Sequence, residues 1–269
     1  MDRTATSPSK GRERLSRVLK SSGELISIGD VSAALAIERT EAAKTLARWN
    51  MQGWVKRLRR GYYAPVPVAS LGQEQVLEDP WVMVPELFGP ACIGGWSAAE
   101  HWGLTEQLFR SICVLTTRPV RQQEITIQGV PFSLKHIREK AMFGTRPIWR
   151  GQARVLVTDP AKTIIDMLDD PAIGGGIRHV ADCLRAHLAR DDAKATDLIE
   201  ASTRLGNGAV FKRLGFLAER EGAASELIEG CRTRLTEGNA KIDPSLPCRN
   251  LLKRWRLWVP ANWTGKKVP

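Results

Sequence analysis

Lys44 and Arg48 stand four residues apart in a stretch whose apolar spacing predicts a helix, so both cations lie on one helical face. Like charges at that spacing destabilise a helix by about 0.2–0.5 kcal/mol, a loss that is recovered only when an anion lies alongside. Thr40, Glu41, Thr45 and Gln52 are expected on the same outer face. Just downstream, Lys56, Arg57, Arg59 and Arg60 bring four more cations and no carboxylate. Cations offered by a helix and by a neighbouring turn suit one chemistry, charge-assisted bonding to phosphates and base edges. The candidate contact residues are Arg39, Thr40, Lys44, Thr45, Arg48, Lys56, Arg57, Arg59, Arg60 and Tyr62.

Other chemistry finds less support. His179, Cys183 and His187 repeat every four residues on a predicted helix. At 1.5 Å rise per residue the outer pair stands about 12 Å apart, too far for one ion. The stripe Ile177, Val180, Leu184 and Leu188 is the expected buried face, with the His/Cys row beside it. Glu100-His101 lacks the spacing of a zinc protease helix. Asp159 with Lys162 can be drawn as a nuclease pair, yet Asp159 precedes Pro160 as a helix cap would. Asp166 sits next to an apolar stripe, where a buried, paired carboxylate is expected. Gly174-Gly175-Gly176 lacks the Lys-Ser/Thr of a phosphate-binding loop, so a flexible connection is expected there. No catalytic set, metal site or cofactor is expected, and the chain reads as a non-enzyme.

The basic residues need elements to hold them. Glu13 to Ser21 predicts a first helix, closed by Gly23, with Leu15, Val18 and Leu19 inward. A second helix opens at Gly29 or Asp30, with Val31, Ala34 and Leu35 as its stripe. A third runs from Thr40 to Gln52, burying Ala42, Leu46 and Trp49 and stopped by Gly53, which enters the left-handed region at little cost. Residues 54–64 then read as a hairpin turning at Arg59-Arg60-Gly61. Helix, turn, helix and basic hairpin is the order of a winged helix-turn-helix, whose second helix of the pair enters the major groove.

Further along, a piece at 81–87 is weakly helical, Cys92-Ile93 begins a strand, and Ser97 with Glu100 has the capping-box spacing. Strands are expected at Ser111–Thr116 and Ala153–Val157, with a hairpin from Glu124 to Ile137 turning at Gln128-Gly129. Helices follow Asp159 and run through Ala195–Leu205, Ala209–Glu221 and Ala224–Glu237, and the alternation Arg254–Val259 predicts a closing strand.

Charge follows this division. Residues 1–70 hold 13 Lys+Arg against 6 Asp+Glu, and residues 71–269 hold 27 against 23, so most of the net +11 sits on the first quarter of the chain. Such a footprint points to a polyanionic partner. The five cysteines are scattered, with no C-x-x-C pair, against a disulfide framework or a zinc ribbon. No secretory leader or run long enough to span a membrane is visible, so a soluble, cytoplasmic protein is expected.

The run Gly95-Trp96-Ser97-Ala98-Ala99-Glu100-His101-Trp102-Gly103-Leu104-Thr105-Glu106-Gln107 resembles the signature stretch of AbiEi-type antitoxins. These are the transcriptional-regulator half of type IV toxin–antitoxin (abortive infection) systems. Asp159–Asp166 is similar to the family's second motif, Phe211–Leu217 to its third, and Arg60-Gly61-Tyr62-Tyr63 to its winged-helix region. Ala161-Lys162 departs from the acidic-basic pair of many relatives. The resemblance implies an N-terminal DNA-binding domain and a C-terminal α/β antitoxin domain. With the polar, basic start of the chain and the prolines and charge change near 66–80, an α+β chain of two domains is expected: a disordered basic arm (1–12), a winged helix-turn-helix (13–67), a linker (68–80) and a larger mixed α/β antitoxin domain (81–269). The resemblance also implies repression of the system's own promoter and neutralisation of a nucleotidyltransferase-like toxin. The expected partners are double-stranded DNA of that promoter, at repeated sites and bound by a monomer or homodimer, and the cognate toxin. The alternatives are a nucleic-acid-processing enzyme targeted by the winged helix, and an orphan regulator without a toxin.

Overall fold

The computed structural model describes residues 10–22, 25–59, 61–66, 79–151 and 153–263, without the side chain of Arg59. The chain is mixed α+β, and its described residues form three sheets. It divides into two compact units. The first takes residues up to Leu87 with 126–130 and 149–154; the second takes 88–125, 131–148 and 155–269. Most of the expected arm, Gly23, Arg60 and most of the expected linker lie outside the described residues.

In the first unit, α1 (Lys10–Ser21) begins three residues before the expected Glu13, so the end of the supposed arm is helical. Strand β1 (Ile26–Ser27) leads into α2 (Ile28–Leu35), which starts one to two residues before the expected cap. Ser27 is that cap. Its hydroxyl accepts from the Asp30 N–H at 3.1 Å while the Asp30 carboxylate accepts from the Ser27 N–H at 2.7 Å. Asp30 thus closes a reciprocal capping box from the third helical position. Helix α3 (Arg39–Met51) follows, and Gly53 beyond it has φ +71°, the left-handed stop the sequence predicts. Strands β2 (Val55–Arg59) and β3 (Tyr62–Pro65) pair antiparallel, and β1 adds to β3. Val18, Ile26, Val31, Leu46, Trp49 and Val55 meet in one apolar cluster. Full burial of each such side chain contributes about 1.5–3 kcal/mol, which holds three short helices to a three-stranded sheet.

After a 3-10 turn at Pro80–Met83 come α4 (Val84–Phe88), β4 (Ala91–Ile93) and α5 (Gly95–His101). The capping box expected at Ser97 is absent. The helix starts at Gly95, and the buried Ser97 hydroxyl accepts from the Cys113 N–H of the neighbouring strand at 2.9 Å. Strands β5 (Ile112–Thr116), β6 (Glu124–Ile127), β7 (Val130–His136), β8 (Thr145–Arg150) and β9 (Ala153–Thr158) join β4 in a six-stranded sheet of order β6-β7-β5-β4-β9-β8. Gln128 and Gly129 turn β6 into β7 with φ of +50° and +76°, as the two-residue spacing requires. β4 runs antiparallel to β5 and parallel to β9. β8 was not anticipated, because Pro147 interrupts its pattern; it lies at the sheet edge, where proline is tolerated.

Helix α6 (Pro160–Asp169) is the hub of the second unit. Asp159 caps it by accepting from the Lys162 N–H at 2.8 Å, with Pro160 at the first position. Every residue from Pro160 to Leu168 is buried, so the expected single inner stripe of Ile164, Ile165 and Leu168 understates it. It packs against α5, α7 (Ile177–Leu188), α8 (Ala195–Leu205) and α9 (Gly208–Arg220). The Gly174–Gly176 turn is packed, not loose: a Cβ on Gly174 would stand 2.4 Å from Val180 Cγ2. Helix α10 (Ser225–Arg232) ends earlier than expected. A small sheet of β10 (Ala240–Lys241), β11 (Asn250–Leu252) and β12 (Leu257–Val259) completes the unit. The predicted strand from Arg254 is broken by a 3-10 turn at Lys253–Trp255 and by Arg256, whose φ is +50°. That turn drives Trp255 against α9 at Gly215, where a Cβ would lie 2.1 Å from the indole.

Candidate nucleic-acid interface and a polar cleft

The first unit carries exposed cations on one helix and one strand. On α3, Ala42, Thr45, Leu46 and Trp49 are buried, while Arg39, Thr40, Lys44, Ala47, Arg48 and Met51 are exposed. Thr45 corrects the sequence reading. It is 2% exposed and its hydroxyl has no hydrogen-bond partner, so it faces inward and cannot touch a ligand on the outer face. The core stripe is wider than the Ala42-Leu46-Trp49 row because α2 and β2 both pack on this helix. Lys56 and Arg57 on β2 are exposed and Tyr62 on β3 is half-buried. The Arg57 N–H donates to Asn50 Oδ1 at 2.9 Å, tying the hairpin to the last turn of α3. The pairing of β2 with β3 shifts register between Arg57 and Arg59. The side chain of Arg59 and all of Arg60 lie outside the described residues. Five cations of the sequence-derived set, Arg39, Lys44 and Arg48 on the helix and Lys56 and Arg57 on the strand, are exposed. Sequence reasoning passed over Ala47 and Met51, although their spacing from Thr40 and Lys44 places them in the same row.

The second unit holds a cleft of about 220 Å³ beside the start of α6, lined by Phe143, Gly144, Arg146, Asp159, Lys162, His187, Asp192, Asp197, Glu200 and Arg204 among others. Lys162 is 1% exposed, pairs with Asp166 one turn along, and stands over the Phe143 ring with its Nζ 4.6 Å from the centroid. The Arg204 guanidinium lies 4.3 Å from the same centroid. Burial pushes the Asp166 carboxyl up to about 6, against the pull of Lys162, and its second oxygen has no partner. His187 is 4% exposed with both ring nitrogens unpartnered. Burial and then the Arg190 guanidinium hold its pKa below the usual histidine value. Gly144, at φ +59°, is required here because a Cβ would come within 3.0 Å of Asp159 Oδ2. Among the described residues its lining contains no serine, threonine or cysteine. Asp159 is occupied as a cap and Asp192 is held by Arg190 at 2.8 Å.

The His/Cys row on α7 is not a flanking row. Cys183 and His187 are buried, and His179 bonds Gly174 O at 2.7 Å and Thr105 Oγ1 at 2.8 Å through its two nitrogens. Among the described residues no group of three His, Cys, Asp or Glu side chains could hold a metal ion.

The comparisons with known proteins bear on the fold. No family model matches the chain, and no curated protein matches it. The chain is similar in structure to the RV2827C protein from Mycobacterium tuberculosis. The TM-score is 0.59, the identity 16%, and the match covers 92% of this chain and 91% of that one. Likeness at that identity concerns architecture, and it runs through nearly all of both chains.

Within that architecture the three quoted stretches of the second unit meet around α6. Trp102 Nε1 donates to Thr158 O at 2.6 Å, just before the α6 cap, and Trp96 Nε1 donates to Ser111 O at 2.7 Å. From α9, Arg213 donates to Leu168 O at 2.6 Å, Asp169 O at 2.9 Å and Lys241 O at 2.9 Å. Lys212 reaches Gly238 O at 2.9 Å. These polar side chains satisfy backbone carbonyls at helix and strand ends, which would otherwise be buried without partners. Nothing in their residue types announces this, because each partner is remote in sequence. Among the described residues no helix is long and apolar enough to cross a membrane.

Proposed function

We propose that the chain is a DNA-binding transcriptional regulator whose first unit is a winged helix-turn-helix, with α3 as the groove-facing helix and β2–β3 as the wing. The observation that carries this reading is the outer face of α3. Lys44 and Arg48 stand exposed there one turn apart, and Lys56 and Arg57 stand exposed on the strand bonded to the same helix. Thr40, Lys44 and Arg48 read base edges; Arg39, Lys56 and Arg57 grip phosphates. The test is the salt dependence of duplex binding. Three phosphate-directed cations give a log–log slope of roughly −2 to −3, and a slope near zero would remove the proposal. Arg48→Ala should lower discrimination between the selected site and random duplex, while Arg57→Ala should weaken both alike.

For the second unit we propose the antitoxin role that the resemblance to AbiEi-type proteins implies. Its support is that the three stretches carrying the resemblance form one packed assembly around α6. The full-length chain carrying Lys44→Ala and Arg48→Ala should still relieve toxicity of a nucleotidyltransferase-like toxin expressed from an unrelated promoter. Absence of rescue by both the wild type and that variant, with the chains folded, would reduce protection to repression alone.

A further inference from the structure

Thr40, Lys44, Ala47 and Met51 fall at i, i+4, i+7 and i+11 along α3, a single row on its outer side, and all four are exposed. Met51 is 87% exposed, among the most exposed large apolar side chains described, and it belongs to no core cluster. Scattered surface methionines are ordinary. This one, however, lies in line with the exposed methyl of Ala47 and the Thr40 side chain, on a face otherwise chosen for charge. A row that only met water would gain solubility from polar residues at all of these positions. A row that met phosphates alone would gain nothing from an alanine and a methionine. On the groove-facing reading of α3, a base-pair edge carrying a methyl group rewards both. In the major groove that group is the 5-methyl of thymine, which is read by apolar contact.

We infer that Ala47 and Met51 are specificity-determining residues that read thymine methyl groups, while Lys44 and Arg48 beside them supply polar and ionic contact. The row runs about 16 Å from Thr40 to Met51, the length of about five base-pair steps at 3.4 Å, so the recognised site carries thymines near one end of that span. This rests on α3 being the groove-facing helix.

The experiment uses the full-length chain. Preferred duplexes are first selected from a random-sequence library, and each thymine of the selected site is then replaced singly by deoxyuridine, which removes the methyl and leaves the hydrogen-bonding edge intact. At one or two positions the replacement should weaken binding about three- to fivefold, the effect of withdrawing one methyl from contact. Met51→Ala, a change at a position that supports no core, should abolish the deoxyuridine penalty at one of those positions, and a penalty undiminished in this variant would overturn the role given to Met51. Ala47→Gly provides the second arm for the other position. Methyl-independent binding, with every replacement within 1.5-fold and selected duplexes still preferred over random ones, would overturn the inference and leave the DNA-binding proposal standing. Failure to bind any duplex in a salt-dependent way would overturn both.

Discussion

The Lys162 ammonium and the Asp166 carboxylate pair one turn apart on α6, with 1% and 8% of their side chains exposed. Two charges so far from water lose hydration that their attraction only partly repays, and the pair is costly to break from one side. Lys162→Met alone, or Asp166→Leu alone, should destabilise the fold by about 3–5 kcal/mol, because each strands a buried charge. The double variant should recover most of that loss. Denaturant titration of the four proteins is the check; single variants costing under about 1 kcal/mol would show that the pair is solvated.

His187 and Asp166 give opposite pH dependences. The folded pKa of His187 lies below its unfolded value, so the unfolded chain takes up that proton first as pH falls. Its contribution to stability is complete above about 6.5 and shrinks below it. Asp166, pushed up to about 6, gains its proton first in the folded state, so its contribution grows as pH falls from about 6 toward the unfolded carboxylate value near 3.9. Comparison with a His187→Gln variant isolates the histidine. The stability of the wild type relative to that variant should fall between pH 7 and 5 in parallel denaturation series. A constant difference would mean that the imidazole finds a partner when charged.

Thr45 carries a buried hydroxyl with nothing to bond. Thr45→Val keeps the shape and removes the unsatisfied group, so stability should rise by about 1 kcal/mol. DNA affinity should not change. A marked fall in affinity would return Thr45 to the contact surface.

Gly215 lies mid-helix, a position that costs about 0.5–1 kcal/mol relative to alanine. Here the missing Cβ admits Trp255, whose Nε1 donates to Glu219 at 2.8 Å. Gly215→Ala should therefore destabilise by about 1–3 kcal/mol despite its better helix propensity. Pairing it with Trp255→Leu should cost less than the two changes added separately. Thermal unfolding of the four forms tests this, and an additive result would mean that the indole does not fill that notch.

What the sequence made legible was local. Asp159-Pro160 announces α6 through a cap and a ring that act within four residues, and Gln128-Gly129 announces its turn through two left-handed positions. The Ala42-Leu46-Trp49 row marks the inner side of α3. What stayed hidden depends on partners far along the chain. Ser97 has the spacing of a cap, but its hydroxyl serves Cys113 sixteen residues on. Thr45 looks like an outer residue until α2 and β2 widen the core. Gly174 reads as a flexible link until Val180 and Met167 close on it. For the candidate interface, charge and helical period located the cations, whereas Met51 passed unnoticed because exposure is not a property of residue type.

The notch at Gly215 also orders events during synthesis. Trp255 fills it from forty positions downstream, and β12, which follows that tryptophan, completes the small sheet. While a ribosome is still making this chain, α6 to α9 emerge with an indole-sized slot open on α9. Chains emerge N-terminus first, so no earlier stage of elongation can supply the missing plug. A transcript broken before codon 255 thus yields a polypeptide with nearly all of its helices and an exposed apolar seam, the kind of surface that chaperones and proteases recognise.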